Sequence, residues 1–124
     1  MENSSPFVKF KILDAVAVFT LGADDDPATV ENVDVQVLAD GSRWSATFLT
    51  LRELDVLMER WKESGESHAG AYLRVPDLIV IREPGLAAMV AVLEGMVRDK
   101  QIYQLSPLPP LEDDDEEDIG FWDV

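Results

Sequence analysis

The alternation of apolar and polar residues over positions 33–50 predicts a β-hairpin. Residues 33–39 place a valine or alanine at every second position, and residues 44–48 repeat this alternation. A period of two is that of a strand with one buried face. Asp40 and Gly41 separate the two segments, and this dipeptide suits a two-residue turn because both turn positions require a positive φ.

Two amphipathic helices are predicted from apolar residues that recur every three or four positions. The first helix begins after Thr50, which forms a capping box with Glu53, and it ends at Gly65. The second begins at Pro84, because proline is favoured in the first turn of a helix. The predicted apolar stripes are Leu54, Leu57, Met58 and Trp61 in the first helix and Leu86, Met89, Val90, Leu93, Met96 and Val97 in the second.

Further strands are predicted on both sides of these elements. Residues 7–21 form one long strand or two short ones broken near Asp14, and residues 78–81 are a short, continuous apolar run. Residues 101–105 form a last short strand. Strand pairs combined with two amphipathic helices predict an α+β fold, with an antiparallel sheet of about four to six strands and both helices packed on one face.

The chain divides into a globular domain and a tail after residue 105. Its length of 124 residues suits one domain. Residues 106–111 contain three prolines and predict an extended spacer, and residues 112–118 are seven consecutive acids. Because adjacent carboxylates repel one another, the acidic run favours disorder. We therefore predict one α+β domain over residues 1–105, followed by a disordered tail over residues 106–124.

The charge of the chain limits the classes of partner that it is expected to bind. The net charge is −15, from 25 acidic and 10 basic residues. Charge of this sign repels nucleic-acid phosphates and anionic membranes, so we expect no direct binding of either. It favours a basic protein partner, which electrostatic attraction would steer into contact. Solubility alone also explains an acidic surface, so both interpretations stay open.

The end of the tail has the pattern of a docking peptide. Carboxylates supply long-range attraction, and aromatic residues beyond them supply anchors for a pocket. The alternatives are that these aromatic residues fold back onto the surface of their own domain, or that the tail inhibits a basic patch of that domain. The predicted partner-binding residues of the tail are Asp113, Asp114, Asp115, Glu116, Glu117, Asp118, Ile119, Phe121 and Trp122. A secondary acidic surface is predicted at Asp24, Asp25, Asp26, Glu31 and Asp34.

The acidic run followed by Ile119, Gly120 and Phe121 resembles the C-terminal tip of bacterial single-stranded-DNA-binding proteins, which ends in acids, isoleucine, proline and phenylalanine. Gly120 stands in the place of the proline, and three further residues follow the phenylalanine. The resemblance implies a similar docking design. It does not extend to the domain, which lacks the pattern of an oligonucleotide-binding barrel.

No pattern in the sequence indicates catalysis, a metal site or a cofactor. There is no cysteine, and the one histidine, His68, has no adjacent nucleophile or carboxylate pair. Asp24 to Asp26 lack the alternate spacing and the distal glutamate of a calcium-binding loop. Since the sequence also shows no signal peptide and no transmembrane run, we expect a cytoplasmic, non-enzymatic protein.

The favoured hypothesis is a small acidic interaction module that binds a basic partner, in its sharpest form an inhibitor of the immunity, antitoxin or DNA-mimic type. One alternative is a structural subunit, including a homodimer, which an exposed apolar patch would favour. The other is an enzyme that depends on carboxylates alone. A buried carboxylate with a raised pKa in a concave pocket would favour that enzyme.

Overall fold

The computed structural model describes residues 7–65, 70 and 77–109. Within these ranges the chain builds a single sheet with helices against it. In chain order the elements are β1 (Phe7–Ile12), β2 (Ala15–Thr20), β3 (Asn32–Ala39), β4 (Ser42–Thr50), α1 (Leu51–Ser64), β5 (Leu78–Ile81), α2 (Leu86–Arg98), a 3₁₀ helix (Ile102–Gln104) and β6 (Ser106–Leu108).

All six strands belong to one sheet. β1 to β4 form an antiparallel meander in which each strand pairs with the next along the chain. Two short strands share the far edge of β4. β5 pairs in parallel with residues Thr47 to Thr50, and β6 pairs antiparallel with residues Arg43 to Ser45. The predicted α+β fold is confirmed, and β5 is parallel to β4 because a helix-containing crossover separates the two strands.

The turns between the first strands follow the sequence prediction. Asp40 and Gly41 have φ values of 53° and 78°, and they join β3 to β4 with Ala39 opposite Ser42. Near Asp14 the chain reverses between β1 and β2. Residues 7–21 are therefore two strands of a hairpin.

One face of the sheet, here called the inner face, carries the hydrophobic core. Phe19, Val35 and Phe48 point to this face from three adjacent strands and are fully buried. Helix α2 packs on the same face with the stripe that its sequence predicts. The α2 residues buried in this core are Leu86, Met89 and Leu93.

Helix α1 stands outside that core. Thr50 caps its start, and Gly65, with φ 87°, ends it in the left-handed conformation, both as predicted. None of its residues is buried, its apolar stripe is half-buried, and it contacts β4.

Three local predictions were wrong. Helix α2 begins at Leu86 with Gly85 as its N-cap, so Pro84 precedes the helix. Residues 102–104 form a 3₁₀ helix instead of a strand. Ser106–Leu108, assigned from sequence to the spacer, form β6 and extend the sheet beyond residue 105. A proline-containing segment can occupy this place because a sheet edge tolerates the missing N–H.

Gly85 locks the loop that follows β2 against the start of α2. Its N–H donates to the Val30 carbonyl at 2.8 Å, and the N–H of Leu86 donates to the Pro27 carbonyl at 2.8 Å. Its backbone angles, φ 98° and ψ 152°, lie in a region essentially restricted to glycine. A Cβ at this position would also lie 2.5 Å from the carbonyl oxygen of Ala28.

We expect Gly85→Ala to lower the free energy of unfolding by about 1–3 kcal/mol through backbone strain, with the Ala28 contact adding to the loss. Gly95→Ala is the matched control, because Gly95 lies inside α2 with open space where its Cβ would be. That change should be neutral or stabilise by up to about 1 kcal/mol. Urea unfolding followed by circular dichroism measures both, and equal stabilities would contradict the role given to Gly85.

Candidate functional site

An acidic depression lies between the loop that follows β2 and the first turn of α1. Its volume is about 260 Å³. The residues that line it are Asp24, Asp25, Asp26, Thr29, Val30, Glu31, Asn32 and Glu53. Five of these side chains are carboxylates, so the depression presents a concentrated negative charge to a cation.

Two of the aspartates also fold the loop itself. The Asp25 carboxylate accepts a hydrogen bond from the Gly22 N–H at 2.7 Å, and the Asp26 carboxylate accepts one from the Ala28 N–H at 2.9 Å. An ionised carboxylate offers about four acceptor positions. Each of these groups therefore keeps acceptor capacity toward solvent after it has formed its turn.

Thr50 joins the loop to the helix. Its backbone N–H donates to the Glu31 carbonyl at 3.0 Å, and its hydroxyl donates to Glu31 Oε1 at 2.7 Å. The same hydroxyl oxygen accepts from the Glu53 N–H at 3.1 Å. Because Thr50 is only 2% exposed, these bonds form away from bulk water. Through these bonds Thr50 connects Glu31 and Glu53, which both line the depression.

Glu31 is held as an anion. Arg52 donates from Nε to Glu31 Oε1 at 3.1 Å and pairs through Nη2 with Oε2. The hydrogen bonds from Arg52, and then the one from the Thr50 hydroxyl, lower the pKa of the Glu31 carboxyl below its ordinary value. Arg52 also offsets part of the negative charge of the depression.

The structure gathers most of the predicted secondary acidic surface. Asp24, Asp25, Asp26 and Glu31 line one depression. Asp34 does not line it. It lies on the face of the sheet opposite to the inner face, here called the outer face, where its carboxylate accepts from the Thr47 hydroxyl at 2.9 Å.

Glu53 is the lining residue that the sequence reasoning missed as part of a site. The capping box identified it as a helix-start residue, and the same interaction with Thr50 places it beside Glu31. The predicted tail residues lie outside the described part of the chain, and so does His68. These tail residues are Asp113, Asp114, Asp115, Glu116, Glu117, Asp118, Ile119, Phe121 and Trp122.

The part of the chain that the structure describes contains neither a metal-ligand cluster nor a membrane-spanning helix. In those ranges no three histidine, cysteine, aspartate or glutamate side chains converge as ligands for a metal ion. Over the same residues, no helix has both the length and the apolar character needed to cross a membrane.

Comparison of this chain with protein-family models, with curated proteins and with solved structures finds no match. The function of the chain must therefore be inferred from the geometry and charge of its own residues.

We expect Thr50→Val to lower the free energy of unfolding by about 1–3 kcal/mol, because it removes one hydrogen bond to the Glu31 carboxylate and leaves the Glu53 N–H without its capping partner. Thr47→Val on the same strand is the control, since its hydroxyl bond to Asp34 is exposed. That change should stay within about 0.5 kcal/mol. Chemical denaturation compares the two, and similar losses would contradict a special role for Thr50.

The pKa of Glu31 gives a prediction about pH. Because the folded-state pKa is lowered, the stabilisation is complete above the unfolded-state value near 4.5 and is lost as the pH falls through the lower folded-state value. Arg52→Gln should move the Glu31 pKa back toward its ordinary value. It should also weaken the pH dependence of stability in this acid range.

NMR titration of the Glu31 side-chain carboxyl measures the pKa directly. Arg98→Gln is the control, because the Arg98 side chain contacts Glu94, at 3.9 Å, one turn back on its own helix. It should leave the Glu31 titration unchanged. A Glu31 carboxyl that titrates at its ordinary value in the unsubstituted protein would refute the assignment.

Proposed function

We propose that this protein is a small acidic interaction module of the cytoplasm that binds a basic protein partner, in its most specific form as an inhibitor of the immunity, antitoxin or DNA-mimic type. The observation that carries the proposal is the acidic depression, in which five carboxylates surround a volume of about 260 Å³. Both walls of the depression belong to fixed structure, namely the loop held by Gly85 and the helix start held by Thr50.

The shape of the depression suits a lysine or arginine side chain of a partner. A cation that enters it meets carboxylates of the loop, such as Asp24, and the carboxylate of Glu53 on α1 at the same time. Several acceptors around one cation give stronger binding than an isolated surface ion pair, which contributes about 0–1 kcal/mol. Preformed walls reduce the entropy lost on binding.

The protonation state of Glu31 supports binding over acid–base catalysis. A carboxylic acid that acts as a proton donor near neutral pH needs a raised pKa. Glu31 has a lowered pKa, caused by Arg52 and Thr50. It therefore stays charged at neutral pH, which suits the attraction of a cation and does not suit the donation of a proton.

The depression and the last described residue, Pro109, lie at opposite ends of β4. Arg43 Nε, at the start of this strand, donates to the carbonyl of Pro109 at 3.0 Å. Thr50, beside the depression, is seven residues further on, about 23 Å along a strand. A basic partner could contact both, and two linked contacts raise the overall affinity.

The proposal is tested by capture of proteins from the native host lysate at low and moderate salt, followed by titration of the purified captured protein. We expect a basic protein whose affinity falls as salt rises. Asp24→Asn combined with Glu53→Gln should weaken its binding about three- to tenfold, as expected for loss of roughly 1 kcal/mol of ionic interaction.

Glu63→Gln combined with Glu94→Gln is the matched control, because both residues are exposed on the helices and the change in charge is identical. Chains ending at Leu111, or carrying Phe121→Ala and Trp122→Ala, test the tail separately. If this control weakened binding as much as the change at Asp24 and Glu53, the partner would be attracted by the overall charge and would not use the depression. Failure to capture any basic protein would refute the proposed function.

A further inference from the structure

One edge of the sheet is formed by an uncharged, apolar strand. Among the six strands of the described chain, β5 pairs with β4 alone, so its other side has no strand partner there. Its four residues, Leu78–Ile81, are all apolar. An apolar edge strand is a place where a strand of another protein can add to a sheet. We call the side of β5 that faces away from β4 the β5 edge.

The ladder with β4 determines which backbone groups lie at the β5 edge. The Thr47 N–H donates to the Asp77 carbonyl at 3.0 Å, and Thr47 is opposite Leu78 in the parallel pairing. In a parallel ladder every second residue of a strand bonds to a given neighbour, so Asp77 and every second residue after it bond to β4. The N–H and C=O groups of Leu78 and Val80 therefore point toward the β5 edge.

The side chains at the β5 edge are apolar and accessible. Val80 is 41% exposed on the outer face, beside Leu49 of β4, which is only 2% exposed. Leu78 and Ile79 are half-buried. Because successive side chains of a strand point to opposite faces, an added strand would contact Val80 on one face and Ile79 on the other. The β5 edge therefore suits a strand that is apolar on both faces.

The other edge strands contain residues that disfavour pairing. β1 carries Lys9 and Lys11 among its six residues, and β6 contains Pro107, which has no N–H to donate. Lysine and proline on edge strands protect a sheet against unwanted strand addition. β5 contains neither residue. Its length of four residues limits the number of hydrogen bonds that an added strand gains, so we expect a reversible contact.

We propose that the β5 edge binds an extended, apolar segment of the basic partner, which adds to the sheet as a further strand. The choice of occupant follows from charge. A second copy of this chain would bring a like net charge of −15 and be repelled, whereas a basic partner is attracted. β5 is uncharged, and its ends are flanked by two acids, Asp77 and Glu83, and one base, Arg82. The segment is therefore uncharged where it pairs and carries cations at its ends.

The β5 edge lies close to the acidic depression. Ile81, the last residue of β5, is opposite Thr50, whose hydroxyl bonds to Glu31 in the wall of the depression. One partner can therefore place a cation in the depression and a strand on β5, and two linked contacts raise its affinity. This identity of the partner rests on the proposed function, while the capacity of β5 to pair with a strand does not.

NMR titration of the complete, ¹⁵N-labelled chain with a synthetic peptide tests the pairing without the partner. The probe is acetyl-Lys-Val-Thr-Val-Thr-Val-Lys-amide, which favours an extended conformation and has a cation at each end. We expect saturable shift changes centred on the amides of Leu78 and Val80. Hydrogen exchange at both amides should also slow, because they become donors to the peptide. Changes centred on another surface, or no changes, would overturn the proposal.

A second peptide with N-methyl groups on its five central residues separates main-chain pairing from general apolar contact. It keeps the side chains and the charge of the first peptide, but its centre has no N–H to donate. We expect its affinity to be at least about tenfold lower, as for the loss of one or two hydrogen bonds. Equal affinities would overturn strand addition, and this comparison leaves the protein unchanged.

Val80→Lys gives β5 the kind of residue that β1 carries. It should weaken binding of the unmethylated peptide about two- to fivefold, through loss of a cross-strand apolar pair. Val56→Lys is the matched control, because Val56 is 37% exposed on α1 and belongs to no strand. It makes the same chemical change and should leave the affinity unaltered. Equal weakening by both variants would contradict binding at the β5 edge.

Sedimentation of the chain alone at high salt, where repulsion between copies is screened, tests the choice of occupant. We expect a monomer. A dimer that Val80→Lys dissociates would make a second copy the occupant and overturn the proposal. The two proposals fail separately: absence of peptide binding refutes the β5 edge as a docking site, and failure of the capture experiment refutes the proposed function.

Discussion

The candidate site depends on one buried hydroxyl group. Thr50 ends β4 and caps α1, and its side chain both donates to the Glu31 carboxylate and accepts from the Glu53 backbone. A buried polar group needs hydrogen-bond partners, so the conformations of the loop and of the helix start are coupled through this atom. The acidic depression therefore follows from the way in which a strand, a loop and a helix meet, and it needs no dedicated motif.

Gathering several carboxylates has an electrostatic cost, and the fold offsets part of it locally. Asp25 and Asp26 accept backbone hydrogen bonds within their own loop, and Arg52 neutralises Glu31. The carboxylates are therefore held in place by local bonds, and the electrostatic potential of this surface remains negative.

Local patterns predicted the local structure well. Alternating valines specified β3, the Asp40–Gly41 pair specified its turn, and the capping box specified the start of α1, because each depends on neighbours in the chain. β6 was missed because it pairs with the edge of β4, more than fifty residues earlier in the chain. The same limit applies to the site. The side chain of Glu53 was placed on a helix from sequence, but its approach to Glu31 depends on a loop and a strand that are distant in sequence.

β5 and β6 pair with different parts of the same edge of β4, and this has a consequence for the order in which the sheet assembles. A chain emerges from the ribosome N-terminus first, and domains begin to form as it does so. β1 to β5 and α2 can associate before residues 106–108 have been made. The start of β4 gains its last partner only when Ser106–Leu108 arrive. Pairing along this edge of β4 is therefore completed at the end of the strand first and at its start second.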